Sequence, residues 1–288
     1  MKLHTILAGY FKLDGGAMFG VVPKRLWNRV QPADEHNMCT WALRCLLIQT
    51  DGRNILVDTG IGDKQGEKFR AHFHPHGDTT LLGELARLGL QPEDITDVLL
   101  THLHFDHCGG ATQYDNNGQI APTFPNARYW TTQRHYEWAY QPNAREAASF
   151  LKENFVPLAE QGVLHFLPEG TANEWVPWLP GLSLQHCFGH TEDMCLLHID
   201  LPDGRHLVFC ADLLPSSFHV SLPWIMAYDV RPLDTLAEKA PFLQRASEEQ
   251  WLLFLEHDPY TEVIAVGPND KGRIAVQERF TLEAALAQ

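Results

Sequence analysis

Residues 101–110 read T-H-L-H-F-D-H-C-G-G, and inside them His102, His104, Asp106 and His107 form the pattern H-x-H-x-D-H. Imidazole nitrogen and carboxylate oxygen are the donors that borderline divalent cations such as Zn²⁺ accept. In an extended segment, residues two apart point to the same side, so His102 and His104 can grip one metal together. Asp106 and His107 are adjacent, on a loop that must bend to turn both inward, and are better placed for a second metal. Gly109 and Gly110 then let the backbone turn without a Cβ penalty. Cys108, a lone thiol beside His107, reads as packing rather than as a ligand.

The elements around this stretch are those that would position it. Residues 95–100 are short, apolar and partly β-branched, which predicts a buried strand with the ligand-type residues on the loop at its C-terminal end. Open sheets place their sites at that end of a strand. Residues 41–49 and 54–57 predict a hairpin with Asp51-Gly52 as its turn. Its second strand ends at Asp58, which suits either a turn cap or a carboxylate orienting a metal-ligating His. Residues 3–13 and 17–22 predict strands joined at 14–16. Residues 79–88 predict a helix closed by Gly89. His72, His74 and His76 alternate, but no strand or carboxylate backs them, so they are expected on a mobile surface loop.

Further along, residues 127–131, 163–167 and 182–187 predict strands, and 132–140, 143–158 and 233–246 predict helices. Residues 195–201 and 206–210 predict a second hairpin over 202–205, and 251–255 a short buried strand or helix end. Three more ligand-type residues sit just beyond such segments: His190 in F-G-H-T, Asp212 in F-C-A-D and His257 in L-E-H-D. Alternating strands and helices predict an α/β chain of two sheets with helices outside, its two halves similarly organised. No linker or repeat interrupts residues 1–288, so one domain is expected.

Composition narrows the function. The formal charge of −14 argues against a nucleic-acid partner and against attraction to anionic lipid. No run of eighteen apolar residues predicts a membrane span, and the first residues do not form a secretory signal. The six cysteines form no C-x-x-C pair, and several lie in apolar runs, as expected of buried free thiols in a reducing cytoplasm.

H-x-H-x-D-H followed by G-H-T, a later Asp and a late His resembles the metallo-β-lactamase-fold hydrolase superfamily, from Asp58 to His257. The resemblance implies an αββα sandwich of two mixed β-sheets flanked by helices. It also implies that His102, His104 and His190 hold one metal, that Asp106, His107 and His257 hold the other, and that Asp212 bridges both. Asp58, in L-V-D-T-G, matches the early Asp of the family. The stretches L-D-G-G-A-M-F-G (13–20) and L-P-W-I-M-A-Y-D (222–229) are most similar to quorum-quenching acyl-homoserine-lactone lactonases and their organophosphate-hydrolysing relatives. The chain departs from the family where Glu192-Asp193 follows G-H-T, where Ala211 precedes Asp212, and where Pro215 stands at a position that is Tyr in some lactonases. His219 or Tyr228 would then replace that Tyr in binding the substrate carbonyl.

The implied activity is opening of a lactone, or cleavage of a simple ester, with two divalent metals, Zn most of all, with Fe, Mn or Co also suited. A water shared by two metals can have its pKa lowered to near 7, and Asp106 would orient it and shuttle a proton to the leaving group. Phosphotriester or aryl-ester hydrolysis on the same site, or an iron-dependent redox reaction on the same fold, are the alternatives. The partners implied are a small-molecule substrate and a second copy in a homodimer. Met18, Phe19, Trp27, Phe105, Phe218, Trp224 and Met226 either line an acyl cleft or pack in the core.

Overall fold

The computed structural model describes residues 1–288. The chain divides into two compact units, Met1–Phe11 with Ala42–Pro168, and Lys12–Trp41 with Glu169–Gln288. No helix is long and apolar enough to cross a membrane.

The first unit is built on β1 (Lys2–Asp14), β2 (Met38–Thr50), β3 (Arg53–Val57), β4 (Asp97–Leu99), the small hairpin β5 (Thr112–Tyr114) and β6 (Ile120–Pro122), β7 (Arg128–Thr131) and β8 (Leu164–Phe166). The outer ends of β1 and β2 belong to the second unit. The six-stranded sheet runs β1-β2-β3-β4-β7-β8. β2 and β3 are antiparallel, across a turn in which Asp51 and Gly52 both have positive φ (47° and 75°). Two left-handed residues suit the right-handed twist of a hairpin, and D-G supplies them. β3, β4, β7 and β8 pair in parallel, so their connections are crossovers and Asp58 and the H-x-H-x-D-H stretch both leave the same end of the sheet.

The second unit carries a seven-stranded sheet of β9 (Trp175–Leu179), β10 (Leu182–Cys187), β11 (Met194–Asp200), β12 (His206–Phe209), β13 (Leu252–Phe254), β14 (Val263–Pro268) and β15 (Ile274–Phe280), neighbours in that order. Only β12 and β13 pair in parallel, joined through the helix Pro232–Glu248. His190 follows β10, Asp212 follows β12 and His257 follows β13. The α/β class with two mixed sheets and helices is as expected.

Several elements differ from expectation. Residues 15–19 form a helical turn, not a strand, because the Asp14 carboxylate accepts the Ala17 N–H at 2.9 Å and caps it. Gly15 is required there, since a Cβ would lie 2.4 Å from the Trp27 ring. Residues 143–158 hold only a single 3₁₀ turn and the short helix Val156–Glu160; Pro157 fits the start of that helix but not a helix interior. His72 is on the helix Glu67–Phe73, His74 closes it in the left-handed region, and the His76 backbone pairs with Tyr10, so the three do not share one surface loop. Strands β9, β14 and β15 are additional to those expected; β15, at the edge of the sheet, has no buried residue. The six cysteines are all free and buried, as expected.

Candidate metal centre

In the first unit, His102, His104, Asp106 and His107 are all buried. His102 and His104 lie on extended backbone, and Phe105–Cys108 then makes one helical turn that brings Asp106 and His107 round. That turn is held by two bonds from Thr59, whose N–H and Oγ1–H donate to the His107 carbonyl at 2.7 and 2.9 Å. The glycines serve close approach: a Cβ at Gly109 would lie 2.1 Å from the Ile61 carbonyl oxygen, and one at Gly110 2.3 Å from that of Thr59. Cys108 donates to the Leu103 carbonyl at 3.2 Å, and burial pushes its thiol up to about 12, so it is inert packing.

Asp58 organises the set. It is fully buried and accepts the Thr101 N–H at 2.8 Å, the Thr101 Oγ1–H at 2.7 Å and the His107 Nδ1–H at 3.1 Å. This fixes the His107 proton on Nδ1 and leaves Nε2 as a lone pair. Thr101 Oγ1, having given its proton to Asp58, accepts from His102 Nδ1 at 3.1 Å, so the His102 lone pair is also on Nε2. That nitrogen lies 3.0 Å from His104 Nδ1, while His104 Nε2 has Glu146 Oε1 at 3.6 Å. At 3.6 Å the Glu146 carboxylate is beyond hydrogen-bond range of His104 Nε2. Two nitrogens on one tetrahedral Zn²⁺ are roughly 3.3 Å apart, given Zn–N of about 2.0–2.1 Å. Asp106 Oδ2 lies 3.7 Å from His107 Nε2. Leu103, between the ligands, donates its N–H to His135 Nε2 at 2.8 Å.

In the second unit, His190, Asp212 and His257 are buried together. Asp212 Oδ2 lies 3.1 Å from His190 Nε2, and Oδ1 lies 3.2 Å from His257 Nε2, so each carboxylate oxygen faces one imidazole. Asp229 Oδ1 accepts the His190 Nδ1–H at 2.8 Å. Burial works to lower the His190 pKa, but the carboxylates of Asp212 and Asp229 outweigh it and lift it to about 10. The pocket thus draws positive charge to that nitrogen, which a divalent cation supplies as well as a proton does. The donor sets of both units therefore fit metal ions, and clusters of His and Asp suited to holding them are present.

The His190 loop is pinned from the helix Pro232–Glu248. Glu238 accepts the Phe188 and Gly189 N–H groups at 2.6 and 3.2 Å. Arg231 donates to the Phe188 carbonyl at 2.8 Å and to Glu192 at 2.6 Å. Asp193 holds His186 at 2.6 Å, so Glu192 and Asp193, the departure after G-H-T, both have structural partners. His257 donates its backbone N–H to the Pro215 carbonyl at 3.0 Å.

The expected substrate residues fare unevenly. His219 is buried with both ring nitrogens engaged: Nδ1 accepts from Ser216 Oγ at 2.7 Å, and Nε2–H donates to the Met18 carbonyl at 2.9 Å. Its ring stacks on Phe19 at 5.1 Å, and burial holds its pKa down to about 3. Neither nitrogen is left for a substrate carbonyl, which corrects that assignment. Tyr228 is half-buried, next to Asp229. Met18, Phe19 and Trp27 are core residues, whereas Trp224 and Met226 flank a small recess with Asp212 and Asp229. Phe105 packs under Phe69 and Phe73 at 5.1 and 4.4 Å. Glu146, His135, Asp229 and Glu238 escaped sequence reasoning as supports, because each lies 32 to 50 residues from what it holds. The signal for Asp229 was chemical: a buried ligating His needs an acceptor on its other nitrogen.

The sequence pattern of the Metallo-beta-lactamase superfamily matches residues 44–260. The chain belongs to the metallo-beta-lactamase superfamily. Among solved structures, a probable metal-dependent hydrolase from Staphylococcus aureus is 30% identical, with 98% of each chain covered and a TM-score of 0.85. AidC, a dizinc quorum-quenching lactonase solved with the product N-hexanoyl-L-homoserine, shares the fold at 21% identity, with 97% of this chain and 95% of that chain covered and a TM-score of 0.76. A curated N-acyl homoserine lactonase from a Bacillus species is 26% identical over 200 residues, 66% of this chain and 66% of its own length. The chain is thus related, across nearly all its length, to metal-dependent hydrolases of this superfamily.

Proposed function

We propose that this chain is a dinuclear metal-dependent hydrolase that opens lactones of the N-acyl-homoserine type. In this reading His102, His104 and His190 hold one divalent cation. Asp106, His107 and His257 hold the other, and Asp212 is shared between them, all within one domain. The observation that carries it is Asp212, whose two oxygens each face a different buried imidazole. The convergence of His102 Nε2 and His104 Nδ1 to 3.0 Å supports it from the first unit, as do the lactonase names of the relatives. Zn²⁺ fits the tautomers described.

Two cations so held would activate a water and polarise the scissile carbonyl. The residues supply the rest. Asp58 and Asp229 fix the imidazole tautomers. The Asp106 carboxylate takes the proton of the attacking water and returns it to the leaving alkoxide as the ring opens to a hydroxy acid. The Tyr228 phenol donates to the substrate carbonyl, and the Phe105–Phe69–Phe73 cluster gives an apolar surface beside Asp106. The buried free cysteines suit a reducing cytoplasm, and the family resemblance supports a homodimer.

The test is turnover by metal-quantified protein on acyl-homoserine lactones of several chain lengths, aryl esters and a phosphotriester. Lactone opening well above the others, lost on chelation, is expected. Phosphotriester or aryl-ester hydrolysis without lactone activity overturns the substrate. Silence on every substrate with two metals bound overturns the hydrolytic reading.

A further inference from the structure

A second concentration of metal-type donors lies on the hairpin β11–β12. Asp200 stands opposite His206 in the antiparallel register, and His198, two residues before Asp200, points to the same side. Three donors thus share one face. His206 Nδ1 lies 3.1 Å from Asp200 Oδ1, and His198 Nδ1 lies 3.6 Å from the same oxygen. The two imidazole rings are 4.8 Å apart. One ligand atom from each of the three lies within 4.8 Å of the others.

The spacing bears on what this face can hold. Ligand atoms arranged tetrahedrally about Zn²⁺, each roughly 2.0–2.2 Å from it, are about 3.3–3.5 Å from one another, and the two distances to Asp200 fall either side of that range. A proton on His206 accounts for the 3.1 Å contact. His198 Nδ1 is turned to the same carboxylate oxygen at 3.6 Å, beyond hydrogen-bond range. The nearby cation, Arg245, is ion-paired with Glu249 at 2.7 Å and lies over the Trp251 ring at 5.1 Å. Asp200 is half exposed, so solvent can fill the remaining positions.

We propose that His198, Asp200 and His206 form an additional site for a borderline divalent cation such as Zn²⁺ or Cu²⁺, separate from the residues around Asp212. An ion there would clamp the two strands of the hairpin that leads into Asp212.

Two tryptophans make the site observable without any activity assay. Trp175 and Trp251 lie 4.9 and 5.6 Å from the His198 ring, within reach of quenching by bound Cu²⁺. Metal-stripped full-length protein is titrated with Cu²⁺, and Zn²⁺ per chain is measured after Zn²⁺ loading and buffer exchange. The variants are His206→Ala, the exposed substitution Asp200→Asn, and a double variant, His104→Ala with His190→Ala, that cripples the other centre. Expected are a saturable quench of about one equivalent that survives in the double variant and disappears in His206→Ala and Asp200→Asn, and one Zn²⁺ fewer per chain in the latter two. A quench of equal amplitude and midpoint in wild type and His206→Ala overturns the site, as does no saturable quench in the double variant. Failure of the dinuclear reading appears elsewhere, as an unchanged Zn²⁺ count in the double variant.

Discussion

Asp58→Asn isolates the charge of one buried carboxylate. Asp58 has φ of 57°, a conformation that Asn tolerates and most residues do not, so the substitution keeps both shape and backbone. What changes is the proton inventory. Asp58 accepts three hydrogen bonds, and Asn has one oxygen for the two places where acceptors are needed. If its oxygen stays on the Thr101 N–H, its NH₂ faces Thr101 Oγ1 and His107 Nδ1. His107 then moves its proton to Nε2, the nitrogen turned toward Asp106. Thr101 Oγ1 no longer has a reason to accept from His102 Nδ1, and that tautomer is released as well. Loss of such a supporting carboxylate costs roughly 10–100-fold in metal affinity, or about 1.4–2.7 kcal/mol. With two imidazoles affected, the upper part of that range is expected. Zn²⁺ affinity is read by competition against a chromophoric chelator, with thermal unfolding of the stripped protein alongside. Zn²⁺ affinity within twofold of wild type, in a variant whose amide has been verified by peptide mass, would refute the claim that Asp58 sets the tautomers. A fall in stability alone, without a change in Zn²⁺ affinity, would reduce Asp58 to a packing role.

Other outcomes follow from the same geometry. Burial raises the Glu238 pKa from 4.5 to about 7, outweighing its two backbone N–H bonds. The folded state therefore holds a proton that the unfolded state releases, and stability falls as pH rises from about 4.5 to 7, by up to about 3 kcal/mol. Chemical denaturation across that window should show the fall in wild type and its loss in Glu238→Gln. Lys239 is buried and donates to the carbonyls of His219, Ser221 and Trp224 at 3.0, 3.2 and 2.8 Å. Lys239→Met leaves three acceptors without their donor and should cost about 3 kcal/mol or more in denaturant unfolding; a loss below about 1 kcal/mol contradicts that role. Gly109→Ala puts a Cβ 2.1 Å from a carbonyl oxygen, so metal content should drop as the His107 turn shifts; full metal content would show that the turn can give. Asp212→Ala should lose one metal and most turnover, and retention of both metals at full activity contradicts sharing.

What the sequence disclosed depended on how local the determinant was. Asp51-Gly52 and the strand-like segment 182–187 each carry their own conformational reason, so the hairpin β2–β3 and strand β10 were legible from the local sequence. The H-x-H-x-D-H stretch was legible because its donors are close together. The supports were not. Asp229 holds His190 across 39 residues and Glu238 holds the same loop from about 50 residues away, and no spacing rule connects them. Residues 15–19 misled because an apolar run after a glycine turn reads as a strand, while a single capping bond from Asp14 made it helical. His219 misled for the opposite reason: its type suggested chemistry, and only the bonds to Ser216 and Met18 revealed a ring already committed.

The most direct test of the dinuclear reading is the position of the metals. Crystals of the Zn²⁺-loaded protein, measured on both sides of the zinc absorption edge, give an anomalous difference map that needs no assumption about ligands. Two strong peaks are expected, one against His102, His104 and His190 and one against Asp106, His107 and His257, with Asp212 touching both. A single peak, or two peaks with Asp212 bound to neither or to only one, would contradict a shared dinuclear centre.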